Sequence, residues 1–322
     1  MDQFNVYKDM KARTNGEIYI GVVGPVRTGK STFIKRFMNL MVLPNIEDEN
    51  DRNRANDELP QSSSGKTIMT TEPKFVPNEA VSIKTEEGIE LNVRLIDCVG
   101  YMVEGATGHM EGEEERLVKT PWFDYEIPFT KAAAIGTKKV ITEHSTIGVV
   151  VTCDGSFGEI AAKQYEPAEE ETIKQLKALK KPFVVLLNTI HPYSESTKQL
   201  AAEKEEKYQT KVLPMNLEQM KKEDIYEIIK SVLMEFPISS IGFYVPRWTE
   251  MLKKDHPLKM ELLQMARDVI TEKTTMRDIY EEQEKEYEYI TGQKLESVAM
   301  DSGEVVITVK VGDVYYLSLI HI

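Results

Sequence analysis

Residues 24–31 have the types and the spacing of a loop that binds phosphate. They run Gly-Pro-Val-Arg-Thr-Gly-Lys-Ser and match the pattern G-x-x-x-x-G-K-[ST]. The glycines allow backbone N–H groups to curl around a phosphate, and a helix that follows adds its positive N-terminus. In this pattern Lys30 reaches the β- and γ-phosphates of a nucleotide, and the Ser31 hydroxyl binds Mg²⁺. We therefore predict nucleotide contacts by Gly24, Arg27, Thr28, Gly29, Lys30, Ser31 and Thr32.

The sequence on either side of this loop has the order that the loop requires, which is strand, loop and helix. Residues 17–23 form a short apolar and β-branched run, which is typical of a buried strand, and residues 31–40 carry apolar side chains at helical spacing. These flanks favour a true phosphate loop over a chance match in a turn. For Arg27 two interpretations stay open, which are contact with transition-state charge and an outward position in solvent.

Two later segments supply the residues that a magnesium–triphosphate site still needs. Residues 45–65 are polar, which predicts a mobile loop, and they lead to Thr70 and Thr71. A threonine in this place ligates Mg²⁺ and senses the γ-phosphate, although the pair could also simply begin a strand. Asp97 then closes an apolar strand and is followed by Cys98-Val99-Gly100, which predicts a metal carboxylate and an N–H group for the γ-phosphate. The predicted catalytic residues are Lys30, Thr70, Thr71 and Asp97, and the predicted metal ligands are Ser31, Thr70 and Asp97.

The residue after Gly100 departs from the pattern of many GTPases. Several of those families place a glutamine there to orient water, whereas this chain has Tyr101. A phenol cannot replace that amide. Hydrolysis must therefore be organised differently, be slow, or need a partner.

The motif that would recognise the base is also altered. Guanine-specific relatives carry N-K-x-D after the strand predicted at residues 182–188, and here the run is Asn188-Thr-Ile-His. We count Asn188 among the nucleotide-binding residues. The missing aspartate would accept hydrogen bonds from guanine that adenine cannot donate, so the sequence permits ATP. Asp154 and Glu195 stay open as acids that could take its place in space.

Composition limits the other functions that the chain could have. The 322 residues are 41% hydrophobic and 29% charged, with a net charge of −13, which argues against a nucleic-acid or anionic-membrane surface. No run approaches the ~18 apolar residues of a membrane span, and residues 1–15 lack the apolar core of a signal peptide. Cys98 and Cys153 are expected to be reduced thiols in the core.

The alternation of strands and helices predicts the fold class. Residues 1–240 are predicted to form an α/β domain of the P-loop NTPase type, related to translation-factor GTPases, with a mostly parallel sheet and helices on both faces. One of its helices is expected at residues 167–179, with Pro167 and three glutamates in the first turn and Ile173, Leu176 and Leu179 buried. Residues 102–120 are expected to be mobile.

The pattern changes in the last quarter of the chain. Residues 251–288 are predicted to be largely helical, and residues 296–300, 304–310 and 314–320 to be strands of a meander. Residues 241–322 are therefore predicted to begin an α+β middle domain. The sequence stops inside an apolar run without a polar tail, so we expect a fragment of a longer protein and leave open whether the last residues are native.

As a set, these motifs resemble the stage IV sporulation protein A family of endospore-forming Firmicutes. The resemblance covers residues 1–316, and members of the family continue through a complete middle domain and a C-terminal domain. It is carried by residues 24–32, 67–75, 97–101, 121–125 and 188–189. It implies phosphate binding by Lys30, hydrolysis sensing by Thr70 and Thr71, and Mg²⁺ binding by Asp97, with ATP as the nucleotide instead of GTP.

The resemblance also implies a cellular role. The family polymerises on the mother-cell face of the outer forespore membrane, as the basement layer of the spore coat. The implied partners are further copies of the chain, spore coat morphogenetic proteins and a small membrane-bound amphipathic anchor peptide, mostly bound through the C-terminal part that is absent here. The location implied is cytoplasmic and peripheral to that membrane. Three hypotheses therefore stand: an ATPase that drives self-assembly, a GTPase acting on ribosomes or RNA, and a scaffold that binds nucleotide without turnover.

Overall fold

The computed structural model describes residues 5–60, 72–84, 90–106, 109–111, 114–157, 160–280 and 285–312. The chain divides into two compact units. Residues 6–232 form the first unit, and the chain from residue 233 onward forms the second together with the first five residues.

The first unit is built around a sheet of six strands. In chain order, its strands and those of two short hairpins are β1 (Glu17–Val23), β2 (Lys74–Lys84), β3 (Glu90–Asp97), β4 (Met110–Glu111), β5 (Glu114–Glu115), β6 (Leu117–Thr120), β7 (Phe123–Pro128), β8 (Ile147–Cys153), β9 (Phe183–Asn188) and β10 (Val212–Met215). The six strands lie in the order β10-β9-β8-β1-β3-β2, and all neighbours are parallel except β2, which is antiparallel to β3. The predicted α/β class with a mostly parallel sheet is confirmed.

Among the described residues of this unit, seven helices accompany the sheet. They are α1 (Val6–Arg13), α2 (Lys30–Phe37), α3 (Glu49–Asp57), α4 (Phe129–Lys139), α5 (Ala162–Ala178), α6 (Glu195–Tyr208) and α7 (Lys222–Met234). π-Helical turns continue α2 over Met38–Val42 and α4 over Val140–His144. Every residue of β8 and β9 is buried, as expected for central parallel strands that are covered on both faces.

The register of the sheet brings several strand ends to one edge. Val22 near the end of β1 pairs with Asp97 at the end of β3, and Cys153 at the end of β8 pairs with Asn188 at the end of β9. In a parallel sheet the loops after these ends form the usual ligand site. Two buried cysteines, Cys98 and Cys153, also lie at these strand ends. Both are free thiols, as predicted.

The prediction of a loop throughout residues 45–65 was wrong, because α3 occupies part of this segment. The helix begins after Asp48, whose carboxylate accepts hydrogen bonds from the N–H groups of Asn50 and Asp51 at 2.8 and 2.9 Å. Ala55 is the one buried residue of α3. With a single buried position the helix has no apolar period, so hydrophobic periodicity could not reveal it.

The predicted boundaries of α5 were also wrong. The helix begins at Ala162, so Pro167 lies inside it and not in its first turn. Ile173 and Leu176 are buried as predicted, but Leu179 follows the end of the helix and is 43% exposed. Proline is common in the first turn of a helix, but a helix can also contain proline in its interior when local packing supports it.

Residues 102–120, which were expected to be mobile, contain strands. β6 pairs in antiparallel fashion with β7, joining Leu117 to Pro128 and Val118 to Ile127. Ile127 is buried, which anchors this hairpin against the unit. The many glutamates of the segment hid the short strands, because short and charged strands lack a clear alternation.

A buried ion pair links α5 to α6. Glu169, predicted to lie near a helix N-terminus, is instead fully buried in the middle of α5. Its Oε1 lies 2.7 Å from Nζ of Lys204 on α6, and its Oε2 accepts a hydrogen bond of 2.5 Å from the Thr152 hydroxyl on β8. The pair thus joins two helices to the strand that ends beside the site.

Replacing Glu169 by alanine is expected to destabilise the fold by about 3–5 kcal/mol, because the ammonium group of Lys204 stays buried without its partner. The matched control is Glu170→Ala, which removes the neighbouring and half-exposed pair with Lys207 and should cost less than about 1 kcal/mol. Urea unfolding of both variants measures the difference. Equal losses of unfolding free energy in the two variants would show that the buried pair of Glu169 with Lys204 contributes no more than the exposed pair.

The second unit combines a small sheet with one long helix. Its elements are β11 (Ser240–Tyr244), α8 (Pro257–Glu272), β12 (Ile290–Ala299) and β13 (Glu304–Val311). The strand order is β11-β13-β12, with β11 parallel and β12 antiparallel to β13. Of the strands predicted at residues 296–300 and 304–310, the second agrees with β13 to within one residue, whereas β12 begins six residues earlier than predicted and ends at Ala299. The third predicted strand, at residues 314–320, lies outside the described residues. The helical prediction for residues 251–288 was too broad, because α8 covers only part of it.

Candidate nucleotide site

The predicted phosphate loop joins β1 to α2, and two glycines allow its path. Gly24 follows the last residue of β1 with a φ of +128°, and Gly29 precedes α2 with a φ of +100°. A Cβ atom on Gly24 would lie 2.4 Å from the carbonyl oxygen of Val151 on β8. Only glycine therefore lets the loop pass so close to the neighbouring strand.

Lys30, the first residue of α2, turns its side chain back into the loop. It is 5% exposed, and its Nζ donates hydrogen bonds to the carbonyl oxygens of Pro25 at 2.5 Å and Gly24 at 3.4 Å. Burial lowers its pKa, against the opposing influence of Cys98 and Asp97. The loop therefore folds around a cationic group, which suits an anionic ligand.

Ser31 and Asp97 meet although they are far apart in the sequence. The Ser31 hydroxyl donates a hydrogen bond of 2.8 Å to Oδ2 of Asp97. Oδ1 of Asp97 is buried and has no hydrogen-bond partner among the described residues. Burial raises the pKa of Asp97, against a hydrogen bond from Ser31 and the charge of Lys30. A buried carboxylate oxygen without a partner, beside a hydroxyl, leaves acceptor capacity for a hard cation.

These two side chains fit Mg²⁺. That ion prefers oxygen ligands and is usually held by one or two protein groups together with water and phosphate oxygens. The described part of the chain holds no cluster of three His, Cys, Asp or Glu side chains that could bind a metal by itself. The pair of Ser31 and Asp97 therefore suits a metal that arrives with a phosphate ligand.

The turn at Gly100 lies directly against the phosphate loop. Gly100 has a φ of +92°, and a Cβ atom placed on it would lie 2.2 Å from the carbonyl oxygen of Gly24 and 2.6 Å from Nζ of Lys30. Two backbone hydrogen bonds join the segments, from the Tyr101 N–H to Gly24 at 3.3 Å and from the Val26 N–H to Tyr101 at 2.9 Å. The glycine turn and the lysine thus share one small space.

Asn188 at the end of β9 supports the loop. Its Nδ2 donates a hydrogen bond of 3.0 Å to the carbonyl oxygen of Thr28, and its Oδ1 accepts one of 3.3 Å from the N–H of Leu217. A Cβ atom on Gly29 would lie 2.7 Å from Nδ2 of Asn188. In these contacts the asparagine positions the phosphate loop relative to the β10–α7 connection.

Asp154 lies one residue beyond β8, and its carboxylate is occupied by neighbours. Oδ1 accepts from the N–H group of Ser156 at 2.9 Å and from its hydroxyl at 2.5 Å, while Oδ2 accepts from the hydroxyl of Thr189 at 2.5 Å. The same Thr189 oxygen accepts a hydrogen bond from the N–H of His191 at 3.1 Å. This network fixes the segment that carries the altered N-K-x-D motif.

The remaining predicted residues lie in different settings. Arg27 is exposed, with a φ of +62°, and Thr32 is partly buried in the first turn of α2. Thr70 and Thr71 lie outside the described residues. Glu195, considered as a substitute acid, forms an exposed ion pair with Lys198 at 2.7 Å.

Two residues of this region were missed from the sequence, and only one gave a signal. Ser156 follows Asp154 at the spacing of a turn in which an aspartate binds the N–H group two residues on, so it could have been found. The Thr189 hydroxyl can reach Asp154 only because β8 and β9 are neighbours in the sheet. The residues around Thr189 give no sign of this contact.

Comparison with known proteins identifies the family of the chain. A family model described as the ATPase domain of stage IV sporulation protein A matches residues 1–237, and the model of the middle domain of that protein matches residues 238–321. Curated proteins named Stage IV sporulation protein A are 54% identical over 275 residues in Clostridioides difficile (strain 630) and 47% identical over 305 residues in Bacillus anthracis. A third, from Bacillus subtilis (strain 168), is 46% identical over 305 residues.

The fold and these matches define a mixed α/β protein with an ATPase domain, which implies nucleotide binding. More specifically, the chain belongs to the stage IV sporulation protein A family. The matches cover 85–94% of this chain but only 56–62% of the length of those relatives. Among the residues that the structure describes, no helix is both long and apolar enough to cross a membrane.

Proposed function

We propose that the chain is a P-loop ATPase that binds ATP with Mg²⁺ between the phosphate loop and the end of β3, and hydrolyses it slowly. The observation that carries this proposal is the contact of 2.8 Å between the Ser31 hydroxyl and Asp97, next to the buried ammonium group of Lys30. Three chemically suited groups from two distant segments share one edge of the sheet. The match of residues 1–237 to an ATPase domain supports the same conclusion.

Each described residue has a task in this proposal. Lys30 exchanges its bonds to the loop carbonyl groups for bonds to phosphate oxygens, and the N–H groups of the loop and of Gly100 bind the remaining oxygens. Ser31 and Asp97 would hold Mg²⁺, which supplies Lewis-acid stabilisation of phosphate charge when bound. Thr70 and Thr71 are proposed as γ-phosphate sensors from the sequence.

Adenine is the proposed base. Recognition of guanine needs a carboxylate that can accept from two ring donors, and both oxygens of Asp154 already accept from protein groups. Glu195 is directed to Lys198 at the surface. The carboxylate of Asp154 is therefore occupied and that of Glu195 lies at the surface, which favours ATP over GTP and weakens the hypothesis of a translation-type GTPase.

The proposed role is assembly of the spore coat. The matched relatives are named for stage IV of sporulation, and the family resemblance supports nucleotide-controlled self-assembly into the basement layer of the coat. On this proposal the chain lies on the cytoplasmic, mother-cell side, at the surface of the outer forespore membrane. Its proposed partners are its own copies, coat morphogenetic proteins and a small amphipathic anchor peptide.

A scaffold that binds nucleotide without turnover is the second candidate. Tyr101 favours it, because a tyrosine stands where many relatives of this fold place an amide that orients water.

A comparison of ATP and GTP turnover separates these candidates. We expect ATP turnover only with Mg²⁺, and we expect Lys30→Ala to lower it at least about 100-fold through loss of phosphate contacts. Lys35→Ala, which changes an exposed lysine of the same helix, should keep the parental rate. Preference for GTP would contradict the proposal, and ATP binding without turnover would favour the scaffold.

A further inference from the structure

Tyr101 has surroundings that its replacement of a water-orienting glutamine does not explain. Its ring is partly buried and packs against an apolar cluster beside the site. The buried members of this cluster are Val26, Val103, Ala106, Cys153, Ile160, Tyr165 and Ala168. Val26 belongs to the phosphate loop, so the ring of Tyr101 contacts a cluster in which the loop itself takes part.

The backbone of Tyr101 strengthens this connection. Pro25 and Tyr101 form a parallel β-bridge, and hydrogen bonds run from Val26 N–H to Tyr101 at 2.9 Å and from Tyr101 N–H to Gly24 at 3.3 Å. One residue therefore holds the phosphate loop by side-chain packing and by two backbone bonds. The preceding residue is Gly100, where even a Cβ atom would lie 2.6 Å from Nζ of Lys30.

The chemistry of the phenol excludes a direct role in proton abstraction. Burial raises the pKa of Tyr101 to about 12, so the hydroxyl stays protonated near neutral pH and cannot act as a general base. An apolar cluster around the ring is also a poor place from which to orient water. The packing of the ring instead suits a role in holding the neighbouring Gly100 in place.

We propose that Tyr101 is a positioning residue that fastens the Gly100 turn to the phosphate loop, so that the N–H group of Gly100 stays aimed at the γ-phosphate. This rests on the proposed ATPase function. Many switch proteins order the corresponding turn only when the γ-phosphate binds. In this chain backbone hydrogen bonds and side-chain packing join the turn to the loop, and tyrosine in place of glutamine exchanges water orientation for a fixed phosphate contact.

Variants at this position test the proposal. Tyr101→Phe keeps the ring and should retain the parental kcat. Tyr101→Gln loses the apolar ring and should lower kcat by about 10- to 100-fold, because the contact of the Gly100 N–H with the γ-phosphate acts mainly in the transition state. The dissociation constant for a non-hydrolysable ATP analogue should change less than about 3-fold. Tyr125→Gln, at an exposed tyrosine of β7, is the matched control and should behave like the parent.

Hydrogen exchange supplies a readout that does not depend on turnover. The Val26 amide, which bonds to Tyr101, should exchange at the parental rate in Tyr101→Phe and at least about 10-fold faster in Tyr101→Gln. Should Tyr101→Gln fail to fold, Tyr101→Ala takes its place, because it also removes the ring, and its Val26 amide is expected to exchange at least about 10-fold faster than that of the parent.

The outcomes separate the two proposals. A Tyr101→Gln enzyme as fast as the parent, with Val26 still protected, would overturn the positioning role while leaving the ATPase intact. Equal losses in Tyr101→Phe and Tyr101→Gln would also overturn it, since the hydroxyl and not the ring would then matter. A parent chain without ATP turnover would reject the proposed function, and exchange at Val26 would still decide whether Tyr101 fastens the turn.

Discussion

Asp97→Asn is expected to abolish Mg²⁺-dependent ATP turnover while leaving the ligand-free protein at least as stable as the parent. The amide keeps an oxygen for the Ser31 hydroxyl but removes the negative charge that would hold the metal. We expect turnover to fall at least about 100-fold. A loss of activity without a loss of stability distinguishes a functional carboxylate from a structural one.

The sign of the stability change follows from the pKa of Asp97. Burial raises this pKa, and the hydrogen bond from Ser31 and the charge of Lys30 only partly offset it. The folded state therefore holds the proton more tightly than the unfolded state, and stability is lost as pH rises from the ordinary carboxyl pKa of about 3.9 through the raised value. Above the raised pKa the parent bears a cost of burying the charge that the uncharged asparagine does not bear.

Thermal unfolding at pH 7 and at pH 3, with and without Mg²⁺ and ATP, measures these effects. The advantage of Asp97→Asn should be present at pH 7 and vanish at pH 3, and ligands should stabilise only the parent. Asp124→Asn, at an exposed aspartate of β7, is the control. Light scattering with ATP adds the assembly readout, and assembly of the variant at the parental level would contradict coupling between nucleotide and polymer.

Local sequence patterns predicted the core of the ATPase unit well. The strand predicted at residues 17–23 agrees with β1 to the residue, and the strand predicted to end at Asp97 does end there, because apolar and β-branched runs between polar turns leave few alternatives. The Ser31–Asp97 contact could also be predicted from the sequence. The two motifs have complementary chemistry and follow the ends of β1 and β3, which are neighbours in the sheet.

Features that depend on tertiary contacts could not be predicted in the same way. The sequence places Glu169 among the acidic residues that favour a helix N-terminus. Its buried ion pair with Lys204 is seen only in the packing of α5 against β8 and α6. The task of Tyr101 was equally hidden, because its cluster is assembled from the phosphate loop, the end of β8 and α5. Sequence marked Tyr101 as unusual for its place but gave no sign of what it contacts.

Gly100→Ala is the second substitution for which we expect a large effect. It tests whether the close approach of the Gly100 turn to the phosphate loop is needed for turnover. A methyl group there would lie 2.2 Å from the carbonyl oxygen of Gly24, which is backbone and cannot move cheaply, and 2.6 Å from Nζ of Lys30. The φ of +92° is also unfavourable for alanine. The turn must therefore leave the loop, and we expect turnover to fall at least about 100-fold through loss of the γ-phosphate contact.

Gly105→Ala separates the clash from the backbone strain. Gly105 has a similar φ of +86°, but a Cβ atom there would meet only the side chain of Gln164 at 3.6 Å. Both variants should lose about 1–2 kcal/mol of stability from the unfavourable φ, while only Gly100→Ala should lose turnover and protection of the Val26 amide. If the two alanines lowered turnover equally, the effect would belong to backbone strain in the segment, and the close contact of Gly100 with Lys30 would have no functional weight.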